Sequence, residues 1–361
     1  MGYDRSMQTF SVRSLLRQRL WITLVIALTW PVVDMDARAQ TSTMTATAYG
    51  DAVEVRFVDP ALTDPAIDRW LDPYVVMRDP SLTAQGRLFV VLPGSFGSPD
   101  RLQLLLRTGA MRGYHVIGLS YPNDWTVNSL CDPTGDPDCF GAVRDEVVTG
   151  QDRSPLVSIS PSNAITHRLQ SVLGYLAATY PAEGWGTFLD SQAQVRWSQV
   201  TVGGHSQGGG YAAFLAKQQQ VERVCMFSSP LDLIGRGASA QVATWLAQPG
   251  PTPPDAYVGL AAEREGGYAQ ILQSWEVLGI PGALSPVNID SLTSIHPSLH
   301  SLSTDVEPTH PGEYHGSTVN DKYTPVTADG TPVLKPVWEF MCFTGAITHH
   351  RVYLPTVFRT P

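Results

Sequence analysis

The chain has 361 residues, enough for two small domains or one large α/β domain with loops, and with 43% hydrophobic and 16% charged residues it is globular and not a disordered polymer. Its formal net charge of −9 argues against nucleic acid or an anionic membrane surface as a partner. Four cysteines fit an exported protein.

The first 39 residues read as a secretory signal peptide. Arg5, Arg13, Arg17 and Arg19 form a basic start, Leu20 to Val33 is almost wholly apolar, and Ala37-Arg38-Ala39 offers a small-x-small cleavage site. An apolar run of about 14 residues containing Pro31 is shorter than the roughly 20 that cross a bilayer, so export is expected over anchoring. The expected location is therefore secreted or periplasmic. The expected divisions are 1–39 signal peptide, 40–346 a single domain and 347–361 a C-terminal tail.

After a polar lead-in from Thr41 to Ala48, Val53 to Val58 alternates as a half-exposed strand and Tyr74 to Met77 is a second candidate. Leu88-Phe89-Val90-Val91-Leu92 is continuously apolar, which fits a strand buried on both faces. A glycine-bearing loop from Pro93 to Asp100, a leucine-spaced helix from Arg101 to Met111 and a strand at Val116 to Leu119 complete a βαβ unit, so the central sheet is expected to be parallel. From Tyr121 to about Ser162 the pattern gives way to a long polar excursion. Within it Cys131 and Cys139 bracket a turn-rich loop. A disulfide closing that loop is expected in an oxidising compartment, and no histidine stands at zinc-ligand spacing nearby. Cys225 and Cys342 either pair or are core thiols.

Ile165 to Tyr180 is a helix closed by Pro181. Gln199-Val200-Thr201-Val202 then runs into Gly204-His205-Ser206-Gln207-Gly208 and a helix through Tyr211 to Lys217. Strand, Gly-x-Ser-x-Gly and helix together form the context of a nucleophile elbow. Its turn is so sharp that the flanking positions require glycine, supplied by Gly204 and Gly208 with Gly209 and Gly210 behind them. Further on come a strand at Arg223 to Phe227, a helix around Gln241 to Ala247, a strand at Ala256 to Ala261 and a helix at Tyr268 to Leu278. Pro286 to Ile289 is expected as the last sheet strand. An irregular, histidine-bearing loop from Ser291 to Val319 and a closing helix from Val333 to Phe343 end the domain.

A serine needs a base to take its proton and a carboxylate to orient that base, and in this strand order the carboxylate comes before the histidine. His315, in Tyr314-His315-Gly316, follows the last expected strand and is the candidate base. His296 and His300 are read as loop residues because Pro297 spoils a metal-binding helix between them. His310 is read as a turn residue, and His349 and His350 fall in the tail. Candidate acids stand at strand-end turns, ranked Glu265, then Asp232, then Glu263; the alternative for Asp232 is a helix cap. The oxyanion hole is expected from the backbone amides of Gln207 and of Ser95 or Phe96.

These residues resemble the α/β-hydrolase fold family over roughly Val53 to Phe343: Gly-His-Ser-Gln-Gly at 204–208 matches its elbow, Leu92 to Gly97 its oxyanion loop and His315-Gly316 its histidine turn. More narrowly, Tyr114 to Asn123, Phe227-Ser228-Ser229-Pro230 and His315-Gly316-Ser317 are similar to exported bacterial hydrolases of largely unassigned substrate. In that set an aspartate usually stands where Glu265 stands here. The resemblance implies a mostly parallel sheet flanked by helices on both faces. It also implies cofactor-free hydrolysis of a small-molecule or lipid-like ester through an acyl-enzyme. Lipase, polyester-cleaving or peptidase chemistry on the same triad, and a non-catalytic binding protein, are the alternatives the fold permits.

Overall fold

The computed structural model describes residues 52–343 and the main chain of 352–353. The expected signal peptide, the Thr41 to Ala48 lead-in and the tail histidines His349 and His350 lie outside the described residues.

In chain order the strands are β1 (Glu54–Val58), β2 (Tyr74–Arg78), β3 (Leu88–Leu92), β4 (His115–Gly118), β5 (Val200–His205), β6 (Arg223–Phe227), β7 (Leu233–Ile234), β8 (Gln241–Val242), β9 (Tyr257–Ala262), β10 (Val287–Asn288), β11 (Ser294–Ile295), β12 (Ser301–Thr304) and β13 (Val352–Tyr353). The α-helices are α1 (Pro60–Thr63), α2 (Gln103–Ala110), α3 (Val127–Cys131), α4 (Cys139–Thr149), α5 (Ile165–Thr179), α6 (Gln207–Gln218), α7 (Tyr268–Leu278), α8 (Tyr314–Ser317) and α9 (Lys335–Cys342). One sheet runs in the order β1-β2-β4-β3-β5-β6-β9-β12-β10. It is parallel from β4 to β10, with β2 antiparallel to β4 and β1 antiparallel to β2. The sheet is thus mixed and mostly parallel, with helices packed on both faces.

The period-two alternation of β3 explains the two cores. Leu88, Val90 and Leu92 face one side with Val202 and residues of α4, α5 and α6. Phe89 and Val91 face the other, with Leu105 and Leu106 of α2 and Trp338 and Met341 of α9. Register then places the site: Leu92 at the end of β3 pairs with Gly204 near the end of β5, and His205 pairs with Phe227 at the end of β6. The loop after β3, the turn bearing Ser206 and the turn after β6 thus leave the same sheet edge, as open parallel sheets generally arrange their binding residues.

Three expectations are corrected. The stretch from Tyr121 to Ser162 is not a polar excursion. It holds α3 and α4, whose Val127, Phe140, Val143 and Val147 are fully or almost fully buried, and the charged Arg144 had broken the apolar pattern. Gln241 to Ala247 is not a helix: β8 pairs antiparallel with β7 and a 3-10 turn follows over Thr244–Ala247, burying Trp245. The expected last strand does join the sheet as β10, but β12 inserts between it and β9. The Ser-Leu-Ser-Thr sequence of β12 conceals a buried strand because its polar groups find partners. Ser303 Oγ donates to Glu263 at 2.7 Å and Thr304 Oγ1 to Asp290 at 2.8 Å.

Cys131 and Cys139 are joined by a disulfide, as expected for that loop. Cys225 in β6 and Cys342 in α9, left open by the sequence, are joined as well.

Candidate active site

Ser206 sits between β5 and α6 with φ 53° and ψ −121°, a conformation that L-residues avoid and that surrounding contacts must hold. Its amide donates to the Phe227 carbonyl at 2.8 Å, fastening the turn to β6. A Cβ on Gly204 would strike the main chain of Gly208. One on Gly208 would strike the carbonyls of Leu92 and Pro93, and one on Gly210 the guanidinium of Arg144. The glycines are therefore required by close approach, not by positive φ. Ser206 itself is half-buried and lines a cavity of ≈ 470 Å³.

His315 lies in the short helix α8, and its Nδ1 is 2.5 Å from Oε2 of Glu265. The Glu265 side chain is 0% exposed and its other oxygen accepts the Ala262 amide at 3.0 Å, so the carboxylate is fixed at the end of β9. A buried carboxylate with one oxygen on a backbone amide leaves the other for a single, oriented partner. Gly316 follows His315 without a positive φ; its missing Cβ makes room for the Tyr323 ring. Arg264, beside Glu265, packs its guanidinium 4.2 Å from the Tyr314 ring centre and pairs with Glu307, which also accepts from Tyr314 at 2.8 Å. The turn after β9 and the helix bearing His315 are thereby tied together.

His205 connects this pair to the serine. Its Nε2 lies 2.9 Å from the His315 carbonyl oxygen and the two rings are 4.9 Å apart. Burial first, and the adjacent His315 second, push His205 down to about 3, so the ring is neutral and its Nε2–H donates to that carbonyl. The residue before Ser206 thus holds the main chain of His315.

The other two acids are placed elsewhere. Asp232 is buried and takes a bidentate pair from Arg144, Nε at 2.6 Å and Nη2 at 2.5 Å, with the Trp245 indole at 2.8 Å. It caps no helix. Glu263 accepts from Asn288 and Ser303. His296, His300 and His310 make local contacts with Ser298, the Tyr257 carbonyl and the Tyr323 ring respectively. Among the described residues no group of His, Cys, Asp and Glu is clustered to hold a metal.

The loop after β3 is clamped. Asn123 Nδ2 donates to the carbonyls of Gly94 and Gly97 at 2.8 and 2.7 Å, and Tyr121 donates to the Pro93 carbonyl at 2.7 Å. The Phe96 amide is taken by the Asn123 carbonyl at 2.7 Å, which removes Phe96 as a donor to substrate and leaves Ser95 in that loop. Ser95 Oγ donates to Gln207 Oε1 at 3.0 Å, and the same oxygen accepts the Val127 amide at 2.9 Å. The Gln207 amide begins α6, where the helix has no partner of its own for it and the dipole favours negative charge.

No family model and no curated protein matches the chain. Among solved structures it is similar to a protein of Klebsiella pneumoniae named as a dienelactone hydrolase, with 14% identity over 63% of this chain and 82% of that one and a TM-score of 0.33. It is also similar to TT1662 of Thermus thermophilus, with 15% identity over 71% of this chain and 90% of that one and a TM-score of 0.35. Likenesses of that size carry no argument about reaction or substrate.

Arg144 and His205 are the residues that sequence reasoning missed. For Arg144 a signal existed: it falls within the helical spacing of Phe140, Val143 and Val147, and a charge on an apolar face needs a buried partner. Its guanidinium also stacks over Tyr211 at 4.6 Å and donates to the Gln207 carbonyl at 3.3 Å, bracing the first turn of α6.

Proposed function

We propose that the protein is a serine hydrolase cleaving carboxylic esters through an acyl-enzyme. Ser206 attacks the acyl carbon, His315 accepts its proton, and Glu265 holds the imidazole with Nδ1 protonated and stabilises the imidazolium that forms. The amides of Gln207 and Ser95 stabilise the tetrahedral oxyanion. His315 then protonates the leaving alcohol and activates the water that releases the acid. The observation that carries this reading is the fully buried Glu265 carboxylate 2.5 Å from His315 Nδ1, on the same sheet edge as a serine held at φ 53°. The two disulfides support an oxidising compartment, and with the basic, apolar start of the chain they favour export.

The test is hydrolysis of 4-nitrophenyl butyrate by the purified chain. Turnover with an initial burst, lost in Ser206→Ala, is expected. Cleavage of peptide amides with no ester turnover would move the reading to a peptidase on the same residues, and turnover surviving Ser206→Ala would remove the serine from the mechanism.

A further inference from the structure

The cavity above Ser206 has charged walls, and three of its four charged residues are already engaged. Asp232 and Arg144 neutralise each other in a bidentate pair. Asp132 accepts the Gly235 amide at 2.7 Å. Arg236 has no hydrogen bond, ion pair or ring contact among the described residues, and its exposed side chain lines the same cavity as Ser206.

Its position is built into the fold. Arg236 occupies the connection between β7 and β8, flanked by Gly235 at φ 75° and Gly237 at φ 69°. Two bonds pin this segment over α3: Asn128 Nδ2 to the Leu231 carbonyl at 2.6 Å and the Gly235 amide to Asp132. Asp132 in turn follows Cys131, whose disulfide to Cys139 closes the loop beneath. The remaining wall presents Thr126, Asn128 and Gln270 beside Val127, Leu231 and Leu233, so a substrate meets both polar and apolar surface.

We infer that Arg236 receives an ionised carboxyl group of the substrate, so the preferred esters carry a second, free carboxylate, as in half-esters of dicarboxylic acids. This rests on the serine hydrolase reading of Ser206. A guanidinium offers a planar pair of donors that a carboxylate matches, and an arginine that makes no ion pair at the wall of a cavity has that fork free. On a chain of net charge −9 an anionic substrate is repelled at long range, so its selection requires a local cation of this kind.

The experiment compares monoethyl adipate with ethyl hexanoate, esters of equal chain length that differ in the terminal carboxylate, by titrating released acid. In Arg236→Gln the ratio of kcat/KM for the charged over the neutral ester is expected to fall about tenfold, with Arg236→Lys keeping part of it. In parallel, calorimetry on Ser206→Ala measures binding of monoethyl adipate without turnover. Adding Arg236→Gln to that variant is expected to raise Kd about tenfold. A ratio and a Kd both left as they were overturn the assignment. Arg236-dependent binding with no turnover of either ester upholds the anion site and removes the hydrolase reading alone.

Discussion

Glu265 and His315, 50 residues apart in the chain, meet at 2.5 Å between carboxylate Oε2 and imidazole Nδ1. The contact depends on a glutamate's reach: the carboxylate turns back over its own turn to take the Ala262 amide while the second oxygen faces α8. Glu265→Gln is expected to lower kcat by about 10³–10⁴-fold, because an amide stabilises neither the correct tautomer nor the charged ring. Steady-state kinetics on the folded variant check it, and a loss under tenfold would remove Glu265 from the role.

Asp232→Asn separates folding from chemistry. It leaves Arg144 buried without its charge partner, for an expected loss of about 3–5 kcal/mol in unfolding free energy. Folded Asp232→Asn protein is expected to keep far more activity than Glu265→Gln. Denaturant titration and kinetics on the same preparation read the two effects, and equal activity losses would reopen the choice of acid.

His205 supplies a pH dependence with a defined sign. Its folded value of about 3 lies below the ordinary 6.5, so on acidification the unfolded chain takes the proton first. The stability it contributes is complete above 6.5 and is lost as pH falls toward 3, at about 1.4 kcal/mol per pH unit within that window. His205→Gln keeps a donor for the His315 carbonyl and removes the titration. Its denaturation midpoint is expected to vary less than wild type from about pH 6.5 to about pH 4. An unchanged slope would contradict a buried neutral histidine at this position.

Gln207 acts through its side chain as well as its amide. Gln207→Ala deprives the buried Val127 amide of its acceptor, for an expected cost of about 1–3 kcal/mol, and frees Ser95 from the elbow. A fall in kcat exceeding any rise in KM is expected, since the oxyanion donors matter most in the transition state. A change in KM alone would place Gln207 in substrate binding instead.

Much of this arrangement was legible in the sequence because it rests on short-range chemistry. The continuous apolar run of β3, the glycines around Ser206 and the helix after them each announce a local geometry. Glu265 and His315 are candidates from their strand-end positions, the acid-before-histidine order and the glycine after His315, with Asp232 and Glu263 as the competing acids. Long-range compensation hid the rest. Ser301 to Thr304 reads as loop because nothing local says that Glu263 and Asp290 will satisfy its hydroxyls. Arg144 obscured an apolar helix because its partner Asp232 lies 88 residues away. Phe96 looked as able as Ser95 to donate an amide, until Asn123 from the next strand's end was seen to claim it.

The most direct test of the account is intact-mass analysis of the purified chain after treatment with a fluorophosphonate probe. A single adduct on the wild type, absent from Ser206→Ala and from His315→Ala and slowed far more by Glu265→Gln than by Asp232→Asn, is the predicted result. A wild-type protein that takes no adduct would contradict an activated serine, and with it the hydrolase reading.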